Sequence, residues 1–495
     1  MDELKTDDFA HDSTQDIGGA LVRGGAATML ANGAAQGIRF VATLLLARLL
    51  LPAEFGLFAM IYSAIGIAGV MRDMGLSMAT IQSPTLTGRQ VSTLFWINSG
   101  FGLLATLGII AASPWIARGL GVPGSVLLIA GLAPVFLLTG LATQHRALMN
   151  RRMAFMSLAR MTLWSALVAQ CLALVLAWCG AGVWALIAGA LATELVATIW
   201  CWCAESWRPS RMFSFAETRR LLIFGGYLAV FNLLGYLAGN VHQLLIGIVR
   251  GPVEAGYFNR AYVLILAPVS MLLVPVGGVI TAALSRLQAD PPEFARHYLG
   301  SISTLNLLSA PLGFFSLLFA AEIVRVLLGP GWAESGVLLQ LMAISLMVQP
   351  LMFSTGWVYM ATGQARRAFW WGNVGWSVIL LMYLPGLIWG ARGVAAAHSL
   401  ALLLLFLPCL HFAFHGTIIT TRDTLRICAP AGLAAGLALL PAWGVRELLM
   451  SASPLAILTS GLLTYSLSYV VLLIVVGEKL RIMNLVRHMR AWVFK

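Results

Sequence analysis

The chain has 495 residues, 60% of them hydrophobic and only 10% charged, with a formal net charge of +12. A soluble globular chain carries roughly a quarter charged residues. Here the charges cluster in gaps between apolar runs of about 20 residues, the length that crosses a bilayer core. No polar stretch is long enough for a soluble domain, so the composition implies an all-α polytopic membrane protein.

In chain order, residues 1–24 read as an acidic cytosolic disordered tail, with Asp2, Glu3, Asp7, Asp8, Asp12 and Asp16. A secretory signal would start basic and turn apolar. The expected helices then cover 25–50, 53–72, 91–116, 124–147, 155–178 and 183–205. After a cytosolic linker at 207–218 they continue over 219–249, 255–283, 298–320, 335–360, 367–390 and 393–414. A second cytosolic linker at 415–426 precedes 427–448 and 453–476, and a basic cytosolic tail fills 477–495. That makes about fourteen transmembrane helices with both termini on one side. Pro268, Pro275 and Pro350 are expected kinks.

The basic residues test this threading. Lys5, Arg23, Arg72, Arg89, Arg146, Arg151, Arg152, Arg208, Arg211, Arg219 and Arg220 fall on the side of the N-terminus. Arg286, Arg296, Arg366, Arg367, Arg422, Arg426 and the tail from Lys479 to Lys495 fall there too. The opposite side holds only Arg48, Arg118, Arg250, Arg260, Arg325, Arg392 and Arg446. By the positive-inside rule both ends are cytosolic. The net charge is then mostly topology, and nucleic acid drops out as a partner.

A short word is written twice. "LPAEFGLF" (51–58) returns as "GPVEAGYF" (251–258), with Pro52, Glu54, Gly56 and Phe58 matching Pro252, Glu254, Gly256 and Phe258. "RRMAF" (151–155) precedes the fifth helix and "RRAF" (366–369) the eleventh, while "GVWAL" (182–186) and "GVAAA" (393–397) open the sixth and twelfth. The architecture expected is therefore two pseudo-symmetric six-helix lobes, 25–206 and 219–414, plus two C-terminal helices at 427–476. Such duplication is a transporter pattern with the substrate between the halves.

The polar residues inside the helices follow the same register. Asn32, Gln36, Arg39 and Thr43 make one stripe on the first helix. Asn232, Tyr236, Asn240 and Gln243 make another on the seventh, with His242 beside it. The stripes either line a cavity or hydrogen-bond neighbouring helices. An arginine at mid-membrane costs at least about 2.5–3.5 kcal/mol if it faces lipid, so Arg39 needs a cavity or a partner. Arg260 is the opposing candidate from the second half. Arg48 and Glu54 are close enough across a turn to form an ion pair or gate. Glu194 is the main intramembrane acid, and the balance leans positive, which suits an anionic cargo held by arginine forks. No metal or cofactor set emerges. Cys201-Trp-Cys203 lacks a second ligand pair, His411 and His415 lack a carboxylate, and His398 reads as a packing histidine.

"LLLARLLLPAEFGLFAM" (44–60), "QHRALMNRRMAF" (144–155), "GVWALIAG" (182–189) and "GPVEAGYFNRAY" (251–262) together resemble the polysaccharide-export flippases. These are Wzx-type transporters of the multidrug/oligosaccharidyl-lipid/polysaccharide superfamily, and the resemblance is strongest to the branch serving colanic acid and succinoglycan. It implies flipping of an undecaprenyl-pyrophosphate-linked oligosaccharide by alternating access, for exopolysaccharide synthesis. It also implies work alongside a polymerase and chain-length or export proteins. The alternatives are a lipid II flippase or an ion-coupled multidrug or metabolite exporter. A membrane polymerase is disfavoured, because the longest outer loop has only about fourteen residues (321–334). Coupling to protons or sodium is open, with Glu194 and His242 as titratable candidates, and the expectation is that the protein is not an enzyme.

Overall fold

The computed structural model describes residues 17–73, 77, 80–81, 86–211, 233, 235–237 and 239–475. Residues 1–16 of the expected tail at 1–24, the expected tail at 477–495, most of the 207–218 linker, Arg219, Arg220 and Asn232 lie outside the described residues, while 17–24, expected as tail, instead begin the first helix. Among the described residues every regular element is a helix. Helices α1 (Ile17–Leu49) and α2 (Pro52–Asp73) are followed by α3 (Gly88–Gly119), α4 (Val126–Leu132), α5 (Pro134–Arg151), α6 (Phe155–Trp178) and α7 (Val183–Ala204). Helix α8 runs over 239–250, with 235–237 also helical. Then come α9 (Pro252–Arg286), α10 (Pro291–Leu327), α11 (Ala333–Ala361), α12 (Ala365–Gly386), α13 (Gly390–Phe414), α14 (Thr421–Leu437), α15 (Leu439–Leu448) and α16 (Pro454–Val475).

Among the described residues, eleven stretches are long and apolar enough to cross a membrane, or twelve if the bent α9 counts as one span. One of these, Ala365–Phe414, is itself two helices, α12 and α13, joined at Leu387–Trp389. The breaks have local causes. Helix α9 bends by 42° between Pro252–Met271 and Val276–Arg286, and Pro275 falls in that break. The expected fourth helix is split, since Pro134 starts α5 where a continuing helix would need its N–H. Helix α10, which contains Pro311, has a non-helical residue eight positions later at Phe319 (φ −107°, ψ 18°).

The contacts group the chain into two units, Met1–Gly256 and Tyr257–Lys495. In the first, α1 packs along α6, α3 along α5, and α7 against both α5 and α6. In the second, α10 packs along α11, α13 against α11 and α12, and α14 and α16 cover α10. Three pairings recur. α3–α5, α5–α7 and α6–α7 correspond to α10–α11, α11–α13 and α12–α13. The doubled sequence word is therefore matched by doubled helix packing.

The word itself meets its copy. In the first unit a methyl group on Gly56 would collide with the Pro252 carbonyl, and one on Gly256 with the Pro52 carbonyl. The first turns of α2 and α9 approach to backbone contact there, which only glycine allows. Pro52 opens α2 at a position where its missing N–H costs nothing. Two residues on, Glu54 accepts the Leu51 N–H at 2.7 Å and caps the helix.

The two arginine pairs also do parallel work. Arg152 donates to Glu205 at 2.8 Å, and Glu205 is buried at the end of α7 while also accepting the Trp207 N–H. Arg367, at the start of α12, donates to the carbonyls of Phe412 and His415 at the end of α13 and lies over the Phe412 ring. Each ties the start of one helix to the end of the next, on carbonyls or a carboxylate that would otherwise be orphaned.

Two predictions follow from the packing. Gly56→Ala and Gly256→Ala should each lower stability in detergent by about 1–3 kcal/mol through overpacking. Gly108→Ala, which meets nothing within 4 Å, should leave the unfolding midpoint unchanged. Arg152→Ala strands the buried Glu205 carboxylate and should cost roughly 1.5–3 kcal/mol; Glu205→Gln in the same background should recover part of that loss. Thermal unfolding of purified protein measures both.

Candidate functional site

The polar stripe of α1 lies on the side of that helix which the first unit leaves open. Ala31, Ala35, Ala42 and Leu46 are buried, at the spacing of one helix face, which packs along α6. Asn32 and Gln36 each follow a buried alanine by one residue, about 100° around the helix, and are exposed. Arg39 and Thr43 are half-buried. Arg39 Nη1 donates to Gln36 Oε1 at 3.1 Å, so the structure brings two of the expected site residues together one turn apart. The arginine is thereby aimed along the stripe, where its remaining donors are available to an anion.

The α8 stripe is placed differently. The Tyr236 hydroxyl donates to the carbonyls of Tyr62 and Ser63 in α2, at 3.1 Å each. Gly66 leaves the space for that hydroxyl, and Gly247 leaves space for Met60. Asn240 Nδ2 donates to the Tyr236 carbonyl at 2.9 Å. His242 and Gln243 are buried, and Gln243 Oε1 has no hydrogen-bond partner among the described residues. Tyr236 thus serves helix–helix bonding, while Gln243 keeps an unspent acceptor.

In the second unit Arg260 is half-buried and donates to Asn259 Oδ1. Of the expected gate pair, Arg48 is exposed, and the Glu54 carboxylate caps α2 and closes over Gly182, where a methyl would meet Oε1 at 2.6 Å. Gly182 has φ +56°, so glycine is required there for its backbone as well.

The aromatic cage around His145 escaped the sequence analysis, whereas His398 and Glu194, both named there, gain specific partners. His145 stacks on Trp202 with ring centres 4.6 Å apart, and the edges of Phe95 and Trp207 close the cage. His398 Nδ1 lies 2.7 Å from the Tyr383 hydroxyl, with the Tyr262 ring edge-on. Glu194 finds Arg146 at 3.8 Å. The threading put Arg146 with the cytosolic charges and Glu194 within the sixth helix, and only the packing of α5 on α7 brings them together. No group of three or more His, Cys, Asp or Glu residues among the described residues could hold a metal ion.

Comparison with known proteins bears on the class. A family profile described as "Polysaccharide biosynthesis protein" matches residues 45–337, more than half of the chain. The teichuronic acid biosynthesis protein TuaB of Bacillus subtilis (strain 168) is 25% identical over 64% of this chain and 65% of its own. The lipopolysaccharide biosynthesis protein WzxC of Escherichia coli (strain K12) is 24% identical over 67% and 68%. The succinoglycan biosynthesis transport protein ExoT of Rhizobium meliloti (strain 1021) is 25% identical over 68% of each chain. The chain thus spans about two thirds of the length of these relatives. Among solved structures, the lipid II flippase MurJ in an inward closed conformation superposes with a TM-score of 0.73 at 13% identity, covering 92% of this chain and 99% of that one. An inward-facing multidrug-resistance transporter of the MATE family superposes at 0.59 and 16% identity, over 81% and 95%. At those identities the likeness speaks for the fold: a polytopic helical membrane protein of the MurJ and MATE type. On the match over 45–337, the chain belongs to the polysaccharide biosynthesis protein family.

Proposed function

We propose that this protein flips an undecaprenyl-pyrophosphate-linked oligosaccharide repeat unit from the cytosolic to the periplasmic leaflet of the bacterial inner membrane, for exopolysaccharide biosynthesis. One observation carries the reading. A chain of the polysaccharide biosynthesis family has an arginine–glutamine pair on the open side of a mostly apolar helix. Facing lipid, that arginine would cost at least about 2.5–3.5 kcal/mol. Facing an aqueous cavity it costs little and gains a role.

The chemistry fits the cargo. Arginine stays charged at any physiological pH and offers a planar fork to phosphate oxygens. Arg39 is proposed to take the pyrophosphate, with Arg260 as a second phosphate-binding arginine. Asn32 and Gln36 carry amides that both donate and accept, which suits sugar hydroxyls, and Asn240 and Gln243 extend the same chemistry on α8. Repeated helix pairings in the two units support transport by alternating access. The charge bias supports cytosolic termini. The protein acts as a carrier and not an enzyme, and it delivers units to a polymerase and to chain-length or export proteins.

In a strain lacking its own exporter, Arg39→Ala should cut polymer export at least about tenfold, the loss expected from one charge-assisted contact, while insertion stays normal. Depleting the protein should leave the pyrophosphate-linked unit on the cytosolic leaflet. Normal export from Arg39→Ala removes the arginine from the mechanism. Drug resistance on overexpression without rescue of export replaces the cargo altogether. Tyr236→Phe should behave differently, costing about 1 kcal/mol of stability and sparing export.

A further inference from the structure

A second polar site lies in the unit Tyr257–Lys495, at the helix ends that the charge count assigns to the periplasm. A cavity of about 230 Å³ opens between the end of α10, the end of α15 and the start of α16. Its polar wall is Glu322, Arg325, Arg446 and Glu447, and its apolar wall includes Met450 and Ile457.

The charges are arranged in a particular way. Glu322 is 9% exposed, and its Oε1 accepts from Arg446 Nε at 2.9 Å. Its other oxygen, Oε2, is buried and has no hydrogen-bond partner among the described residues. A buried carboxylate oxygen without a donor is costly, so the cavity has an unmet demand for one. Arg446 commits Nε to the pair, which leaves the Nη edge of its fork, the edge that suits phosphate. Arg325 and Glu447 are exposed at the rim. Two cations and two anions therefore face one small volume.

We propose that this cavity binds the phosphoethanolamine headgroup of an aminophospholipid. The phosphate meets Arg325 and Arg446, and the ammonium donates to Glu322 Oε2 and Glu447. A purely anionic headgroup satisfies the arginines but sets its charge against both carboxylates. A trimethylated headgroup has no N–H to give to Oε2. The surroundings are those of a lipid site. Leu448, Met450 and Leu455 are 83%, 69% and 57% exposed, an apolar flank for acyl chains, and Trp443 is exposed one turn before Arg446. Tryptophan is enriched at the headgroup level of membranes. A lipid seated there would join α10 to α15 and α16, which already share this corner. The site is independent of the flipped cargo.

The test uses full-length, delipidated protein and native mass spectrometry with three lipids of identical acyl chains. These are phosphatidylethanolamine, phosphatidylcholine and phosphatidylglycerol. Phosphatidylethanolamine should be retained about tenfold better than either of the others, the factor expected from one charge-assisted hydrogen bond. Glu447→Gln, at an exposed position that does not threaten folding, should reduce that preference, and Glu322→Gln should abolish it. Equal retention of phosphatidylcholine overturns the proposal by removing the ammonium from recognition. Stronger retention of phosphatidylglycerol overturns it in favour of a simple anion site. An unchanged preference in both folded variants overturns the placement.

Discussion

An ionised group in hydrocarbon must find a partner or a wet surface, and that constraint arranges most of the polar structure here. Arg152 reaches Glu205, Arg392 makes a two-pronged pair with Glu334, Arg446 holds Glu322, and Glu194 finds Arg146. Each pair joins residues distant in sequence, so each also fixes which helices are neighbours. Arg367 obeys the same rule with carbonyls in place of a carboxylate. Arg39 and Arg260 depart from this pattern, because each donates to a neutral amide on its own helix, Gln36 and Asn259. Gln36 orients the guanidinium without neutralising it, and an oriented cation that keeps its charge is what an anionic ligand requires.

The apolar contacts obey a different limit. Without a hydrophobic drive between helices in lipid, close packing has to come from shape. Glycine supplies it at Gly56 and Gly256, and again where Gly386 meets the Gly393 carbonyl. This gives a reason for three of the four letters that the doubled word keeps, Pro, Glu and Gly. Proline starts the helix, glutamate caps it, and glycine lets the two copies touch.

Much of this was legible in the sequence. Helix class, the positions of most spans and the pairing of the two halves follow from run lengths and a repeated word, because a bilayer allows few alternatives. Helix α6 begins and ends at Phe155 and Trp178, the bounds that its apolar run suggests. The split of the fourth and thirteenth expected helices was not legible. Pro134 and the Ala438 break sit inside runs whose hydropathy is unbroken, so periodicity passes over them. The stripe on α1 could be read because polar letters at steps of four and three stand out against alanine and leucine. Its open orientation could not, since that depends on which face α6 covers. On α8 the same pattern of letters ended in a different use. Tyr236 spends its hydroxyl on α2 because Gly66 makes room for it. A polar stripe announces a need for partners, and only the neighbouring helix decides whether they are protein or cargo.

That distinction separates the two polar regions of functional interest. On α1 the charge is a single cation with amide neighbours, and its missing partner is an anion. Beside α10 the arginines and glutamates balance, and what is missing is a donor for one buried oxygen, Glu322 Oε2. A pyrophosphate would satisfy the first and leave the second unmet, while a zwitterion would bring the second its ammonium and add an unpaired positive charge beside the first. The two regions therefore select different ligands by charge balance alone. The proposed division is between a travelling anion, which must be released and so is met by few charges, and a resident lipid, which is held by many.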